Sequence, residues 1–143
     1  MEKFKELIIL IAEDDDGHAE LIIDGLVESG ICNQIIRFRN GEEVWHFISG
    51  TSDKEVRNKN KRYLLLLDIN MPKMNGVEVL VRIKSNKEIK DMPVIMLTSS
   101  DSPHEIERCY EIGCNMYITK PIDFGKFAVT LKRLGLFIDI VTI

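Results

Sequence analysis

The sequence predicts a single doubly wound α/β domain: a five-stranded parallel sheet with helices on both faces, (βα)5. Three observations carry that prediction. LIILIA (7–12) and YLLLLD (63–68) are continuously apolar up to their ends, as strands become when both faces of a sheet are covered. Between the strands lie apolar stripes at helical spacing. Five such strands alternate with five helical segments, which implies right-handed crossovers and an open sheet. The length, 143 residues, fits one domain with a core that requires no staples.

The first strand is Leu7–Ala12. In the helix that follows, Ala19, Ile22, Ile23, Leu26 and Val27 fall at i, i+3, i+4, i+7 and i+8 and should form its buried stripe. Asp15 or Asp16 is its expected N-cap and Gly30 its stop. The second strand is Gln34–Phe38. The second helix opens at Asn40-Gly41-Glu42-Glu43, which resembles a capping box, and at least one of Trp45 and Phe47 should be core. The third strand, Tyr63–Asp68, leads to the third helix, and the fourth strand is Pro93–Thr98. Ser102-Pro103-His104-Glu105 starts the fourth helix, with Pro at its first position, and Gly113 ends it. The fifth strand is Met116–Thr119, and Phe124, Phe127, Ala128 and Leu131 stripe the fifth helix. Residues 50–62, GTSDKEVRNKNKR, interrupt the alternation with five basic and two acidic residues. This stretch is too polar to pack and reads as a solvated loop or as a basic contact for an acidic partner.

Composition excludes several classes. A net charge of −4 gives no global pull toward nucleic acid, so direct DNA binding is not expected. Cys32, Cys109 and Cys114 are an odd set without C-x-x-C, which fits buried thiols in a reducing, cytoplasmic setting. The N-terminal apolar run is too short and too acidic at its end for a signal peptide, and no run approaches the roughly 18 residues of a membrane span. His18, His46 and His104 show no ligand spacing.

In doubly wound sheets the functional crevice lies at the carboxyl ends of the strands. Here those ends carry Glu13-Asp14, Asp68, Thr98-Ser99-Ser100 and Lys120-Pro121. Asp14 and Asp68 end apolar strands and are poorly explained as helix caps. Carboxylates about 5 Å apart repel by roughly 3 kcal/mol per pair at an effective dielectric near 20. A bound divalent cation offsets this, and all-oxygen ligands favour Mg2+ or Mn2+. Lys120 adds a second positive charge and Thr98 a hydroxyl donor. The set suits phosphoryl transfer to an aspartate, with Asp68 attacking in line.

ILIAEDD, LLLLDINMPKMNG, VIMLTSS and YITKP, in this order, resemble the receiver domains of two-component response regulators, over about residues 6–134. The resemblance implies a flavodoxin-like fold and one receiver domain spanning 1–143, with 135–143 as an apolar extension. It implies Asp68 as phosphoacceptor for a histidine kinase's phosphohistidine. Asp14 is then the direct metal ligand, Glu13 acts through water, and the Asn70 carbonyl completes the protein's set. Thr98 becomes the switch hydroxyl, Lys120 the phosphate-pairing lysine, and Tyr117 the ring that moves inward on activation. Pro72 and Gly76 match the turn after the acceptor, and the Lys120-Pro121 bond is expected to be cis. Asn70, Ser100 and Asp15 are the positions expected to set the acyl phosphate lifetime.

Only nine residues follow Leu134, so a stand-alone regulator whose output is a protein contact is expected. The apolar tail GLFIDIVTI is expected either to fold back on its own domain as a strand or arm or to make a dimer contact; homodimerisation would otherwise use the face of the fourth helix, fifth strand and fifth helix. The basic loop and this tail are similar to those of regulators paired with bacterial phytochromes, making a phytochrome-type kinase the expected partner. Leu21, if exposed, would offer a kinase an apolar foothold. Three rivals are weaker. An aspartyl-phosphate phosphatase needs an acid two positions after its nucleophile, where this chain has Asn70. A flavodoxin-like cofactor binder needs a phosphate-cradling loop where this chain has acids. A degenerate receiver acting only as an interaction module would not need the full set of Asp14, Asp68, Thr98 and Lys120.

Overall fold

A computed structural model describes residues 6–133. Its elements are β1 (Leu7–Ala12), α1 (Asp16–Glu28), β2 (Ile35–Phe38), α2 (Gly41–Ser49), β3 (Arg62–Leu67), α3 (Gly76–Lys84), β4 (Val94–Thr98), α4 (Pro103–Ile112), β5 (Met116–Thr119) and α5 (Phe124–Arg133). The strands form one parallel sheet in the order β2-β1-β3-β4-β5. The five expected strands and five expected helices are all present, with strand ends shifted by one residue at β2, β3 and β4. The apolar extension 135–143, an expected fold-back arm or dimer contact, lies outside the described residues, as do the side chains of Ala128 and Leu131. No helix among the described residues is long and apolar enough to cross a membrane.

The sheet separates two cores, and this is why its central strands read as unbroken apolar runs. All of β1 and β4 and all of β3 after Arg62 are buried. Ile8, Leu10, Leu65, Leu67 and Met96 face α2, α3 and α4, meeting Val44, Phe47, Val79, Leu80, Ile83 and Cys109. Ile9, Ile11, Leu64, Leu66, Ile95 and Leu97 face α1 and α5, meeting Ile22, Leu26 and Phe127. Alternate residues of each strand thus point into different cores.

Local chemistry sets the helix ends. Asp15 caps α1, its carboxylate accepting from the His18 N–H at 2.8 Å. Asn40 caps α2 through the Glu43 N–H, while Glu43 returns the contact to the Arg39 N–H and the Asn40 side chain, a variant of the expected box. Ser102 makes no side-chain cap bond, so Pro103 alone marks the start of α4.

Two expectations require correction, at Val27 and Cys32, and two others are sharpened. Val27 is 57% exposed, because it lies about 100° round the helix from the buried Leu26. Cys32 is exposed on the α1–β2 connection, whereas Cys109 and Cys114 are buried. Trp45 is only half-buried, stacked under the Arg82 guanidinium, and Phe47 is the core residue of that pair. The basic loop is exposed over most of its length, as expected of a solvated loop, but it is anchored at Arg57. Its Arg57 donates to the Ile48 carbonyl at 2.7 Å at the carboxyl end of α2 and pairs with Glu88 at 3.0 Å. Glu88 also pairs with Lys59 at 3.0 Å, and Lys61 lies 3.5 Å from Glu6.

Candidate functional site

β1 is flanked by β2 on one side and β3 on the other, so the chain reverses its winding there and opens a crevice at their carboxyl ends. The backbone fixes that crevice tightly. The Glu13 N–H donates to the Phe38 carbonyl and the Asp68 N–H to the Ala12 carbonyl, each at 3.0 Å. Beyond Asp68 the chain turns through Pro72, with Lys73 in the left-handed region at φ 67°. The Gly76 N–H closes this turn on the Ile69 carbonyl at 2.8 Å. A Cβ on Gly76 would lie 2.1 Å from the Asp68 carbonyl oxygen, so only glycine allows this close approach.

The fold brings together Glu13, Asp14 and Asp68, with one carboxylate oxygen from each within 4.8 Å of the others. Glu13 and Asp68 are buried and Asp14 is exposed. Glu13 accepts from the Asp15 N–H at 3.1 Å, and Asp68 from the Ile69 N–H at 2.8 Å. Lys120 directly follows β5, and its peptide bond to Pro121 is cis. Its Nζ pairs with Glu13 and lies 3.7 Å from Asp68. The lysine therefore offsets part of the repulsion among these carboxylates, as the second positive charge expected at this rim. It does not offset all of it. Burial first, and the Glu13 charge second, push the Asp68 carboxyl up to about 6 against the opposing pull of Lys120. An all-oxygen, carboxylate-rich cluster open on the Asp14 side fits a hard divalent cation that keeps some of its water.

Thr98 is fully buried at the end of β4, its hydroxyl oxygen 3.4 Å from the donating Ser100 N–H. Tyr117 on β5 is half-buried and its hydroxyl reaches the Ser100 carbonyl at 2.8 Å and Glu105 at 3.2 Å. Burial pushes its phenol up to about 12. The Ser100 backbone thus touches both the Thr98 and the Tyr117 hydroxyls. Asn70 sits exposed just past Asp68. Asp15 is turned to its capping role rather than into the crevice.

Two nearby residues carried no site role in the sequence reading. His18 approaches Lys120 Nζ at 3.4 Å and Glu13 at 3.9 Å, because the first turn of α1 rises beside the crevice. Arg37 on β2 donates twice to the Glu13 carbonyl. A histidine five residues after an acid and an arginine in an edge strand carry no spacing signal; only the fold brings them here. Leu21 is 67% exposed beside a 460 Å3 groove lined by His18, Ile22, Lys120, Pro121, Ile122 and Phe124.

A 2-1-3-4-5 sheet that holds an acidic triad at its switch point, countered by one lysine, is the arrangement of the receiver class of signalling domain. Comparison with known proteins gives the same class. The response regulator receiver domain matches residues 9–132, and the chain belongs to that family. Response regulator Rcp1 from Synechocystis sp. is 35% identical over 113 residues, which are 79% of this chain and 76% of that protein. The crystal structure of the Mn2+-bound form of Rcp1 superposes with a TM-score of 0.76 at 29% identity, covering 95% of this chain and 99% of that one. The bacteriophytochrome response regulator RtBRR gives a TM-score of 0.77 at 33% identity, covering 92% and 79%.

Proposed function

We propose that this receiver accepts a phosphoryl group on Asp68 from the phosphohistidine of a histidine kinase and signals through a protein surface that the modification reshapes. The observation that carries the reading is the position of Asp68: buried, next to a lysine, and gathered with two further carboxylates at the sheet's switch point. An Asp68 carboxylate oxygen attacks phosphorus, the P–O bond forms as the P–N bond breaks, and the donor imidazole nitrogen keeps the bonding pair. Glu13, Asp14, Asp68 and the Asn70 carbonyl are the groups that would hold Mg2+ or Mn2+. The ion supplies neutralisation of the phosphoryl oxygens. Lys120, already 3.7 Å from Asp68, contributes a second positive charge to the same oxygens.

The switch we propose uses the contacts around Ser100. When the Thr98 hydroxyl turns toward the phosphoryl group, the Ser100 backbone that it touches moves with it, and Tyr117 loses its resting acceptor. The face built from α4, β5 and α5 then changes its affinity for a partner or a second copy. The exposed Leu21 and the groove beside Lys120 suit the approach of a kinase helix to Asp68. A phytochrome-type kinase is the donor we favour, because phytochrome regulators recur among the structural relatives. A cytoplasmic setting agrees with the free thiols.

Reductive trapping tests the acceptor. Borohydride converts an aspartyl phosphate to homoserine, and peptide mass spectrometry after phosphodonor treatment should find homoserine at position 68. Homoserine elsewhere, or none, contradicts the assignment.

A further inference from the structure

We infer that Arg37 is a positioning residue for the divalent cation: it clamps the β1–α1 turn from the neighbouring edge strand and so sets where Asp14 presents its carboxylate. This rests on the metal reading above.

The contacts are directional. Arg37 Nε and Nη2 both donate to the Glu13 carbonyl oxygen, at 3.0 and 2.8 Å. Its Nη1 donates to Asp16 Oδ1 at 2.7 Å, and Arg39 donates to the same oxygen at 2.6 Å. Residues 13 and 16 are therefore both tied to β2, and Asp14 and Asp15 are the span between the two ties. Asp15 is fixed in addition by its cap bond to the His18 N–H and by its own N–H to Glu13. The Arg37 side chain is 17% exposed and its two bonds to the Glu13 carbonyl are partly buried, whereas Asp16, 74% exposed, meets it in solvent.

Its placement is otherwise unfavourable. In β2, Ile35 precedes Arg37 on the same face and packs with the α1–α5 core. At the next position on that face stands a guanidinium, close to the amino end of α1, where the helix dipole disfavours positive charge. Asp16 and the Glu13 carbonyl compensate it. A planar fork that satisfies one carbonyl and one carboxylate together is a task lysine cannot duplicate.

Coulombic and positioning effects have opposite signs here, which makes the test decisive. Removing a positive charge near a cation site strengthens cation binding; releasing the turn weakens it. Mn2+ binding to the full chain would be measured by isothermal titration calorimetry for wild type, Arg37→Gln and Arg37→Lys, with the fold of each checked by circular dichroism. The inference predicts that Arg37→Gln weakens Mn2+ binding by about tenfold, the low end of losses seen when groups that orient metal ligands are removed. Arg37→Lys, which keeps the charge but loses the fork, should also bind more weakly than wild type. Unchanged or tighter binding by a folded Arg37→Gln protein overturns the inference. If that variant does not fold, Arg37→Lys decides alone: wild-type affinity overturns the proposal. A wild-type protein that binds no Mn2+ refutes the metal reading itself, a result distinct from either variant outcome.

Discussion

Two charged loops of this chain meet opposite fates. The loop between α2 and β3 carries four basic residues, yet Arg57, Lys59 and Lys61 find carboxylates of the same chain in Glu88 and Glu6. The turn after β1 is acidic, and its charges are crowded rather than dispersed: Glu13 and Asp14 are gathered with Asp68, and one lysine is shared between Glu13 and Asp68. Both stand out in the sequence as charge runs. What separates them is whether the fold supplies enough opposite charge. Where it does, the run is scaffolding; where it falls short, an ion or a phosphoryl group can complete the balance, and Asp68 meanwhile holds its proton up to about 6.

The largest effect that could break this contrast is at the acceptor. Asp68→Asn should abolish phosphoryl uptake, read by radiolabel from a phosphodonor, whereas Glu88→Gln in the basic system should leave uptake unchanged. Next comes the ion. Asp14→Asn should weaken Mn2+ binding by at least about tenfold in a calorimetric titration, and chelation should suppress uptake by the wild type.

The third effect is on stability. Asp68 binds its proton more tightly in the folded state, near 6, than at the ordinary value of 3.8 that it has when unfolded. Between those pH values the folded protein carries more protons, so stability falls as pH rises through the window, and above it the full cost is present. Asp68→Asn should therefore gain about 1–2 kcal/mol at pH 7 in urea denaturation, a gain that shrinks toward pH 4. Saturating Mg2+ should recover a similar amount for the wild type but not for Asp14→Asn. The smallest effect is in the basic loop. Arg57→Ala should cost about 1 kcal/mol through the lost bond to the Ile48 carbonyl, with no change in phosphoryl uptake.

The sequence makes the strands legible because β1, β3 and β4 are buried on both faces, so their apolar runs are unbroken. The strand-end groups Glu13, Asp14, Asp68, Thr98 and Lys120 follow from that topology alone, since a parallel sheet places all carboxyl ends on one rim. What stays hidden depends on tertiary geometry. Val27 continues the helical spacing of α1 yet lies beyond the width of the contact with the sheet. Arg57 reads as loop charge, and only the position of Glu88, 31 residues later in the chain, makes it structural. His18 and Arg37 gain their places at the crevice from the rise of α1 and the pairing of β2 with β1. Lys120 is legible as a cation for the site, but its resting pairing with Glu13 is not, because two acceptors compete for it and local geometry decides.

Intact-mass measurement after treatment with a small-molecule phosphodonor tests the central claim most directly. Wild type with Mg2+ should gain the mass of one phosphoryl group, and little or none with chelator, while Asp68→Asn with Mg2+ should gain none. Equal gain by Asp68→Asn, or uptake by the wild type indifferent to the metal, would contradict the account.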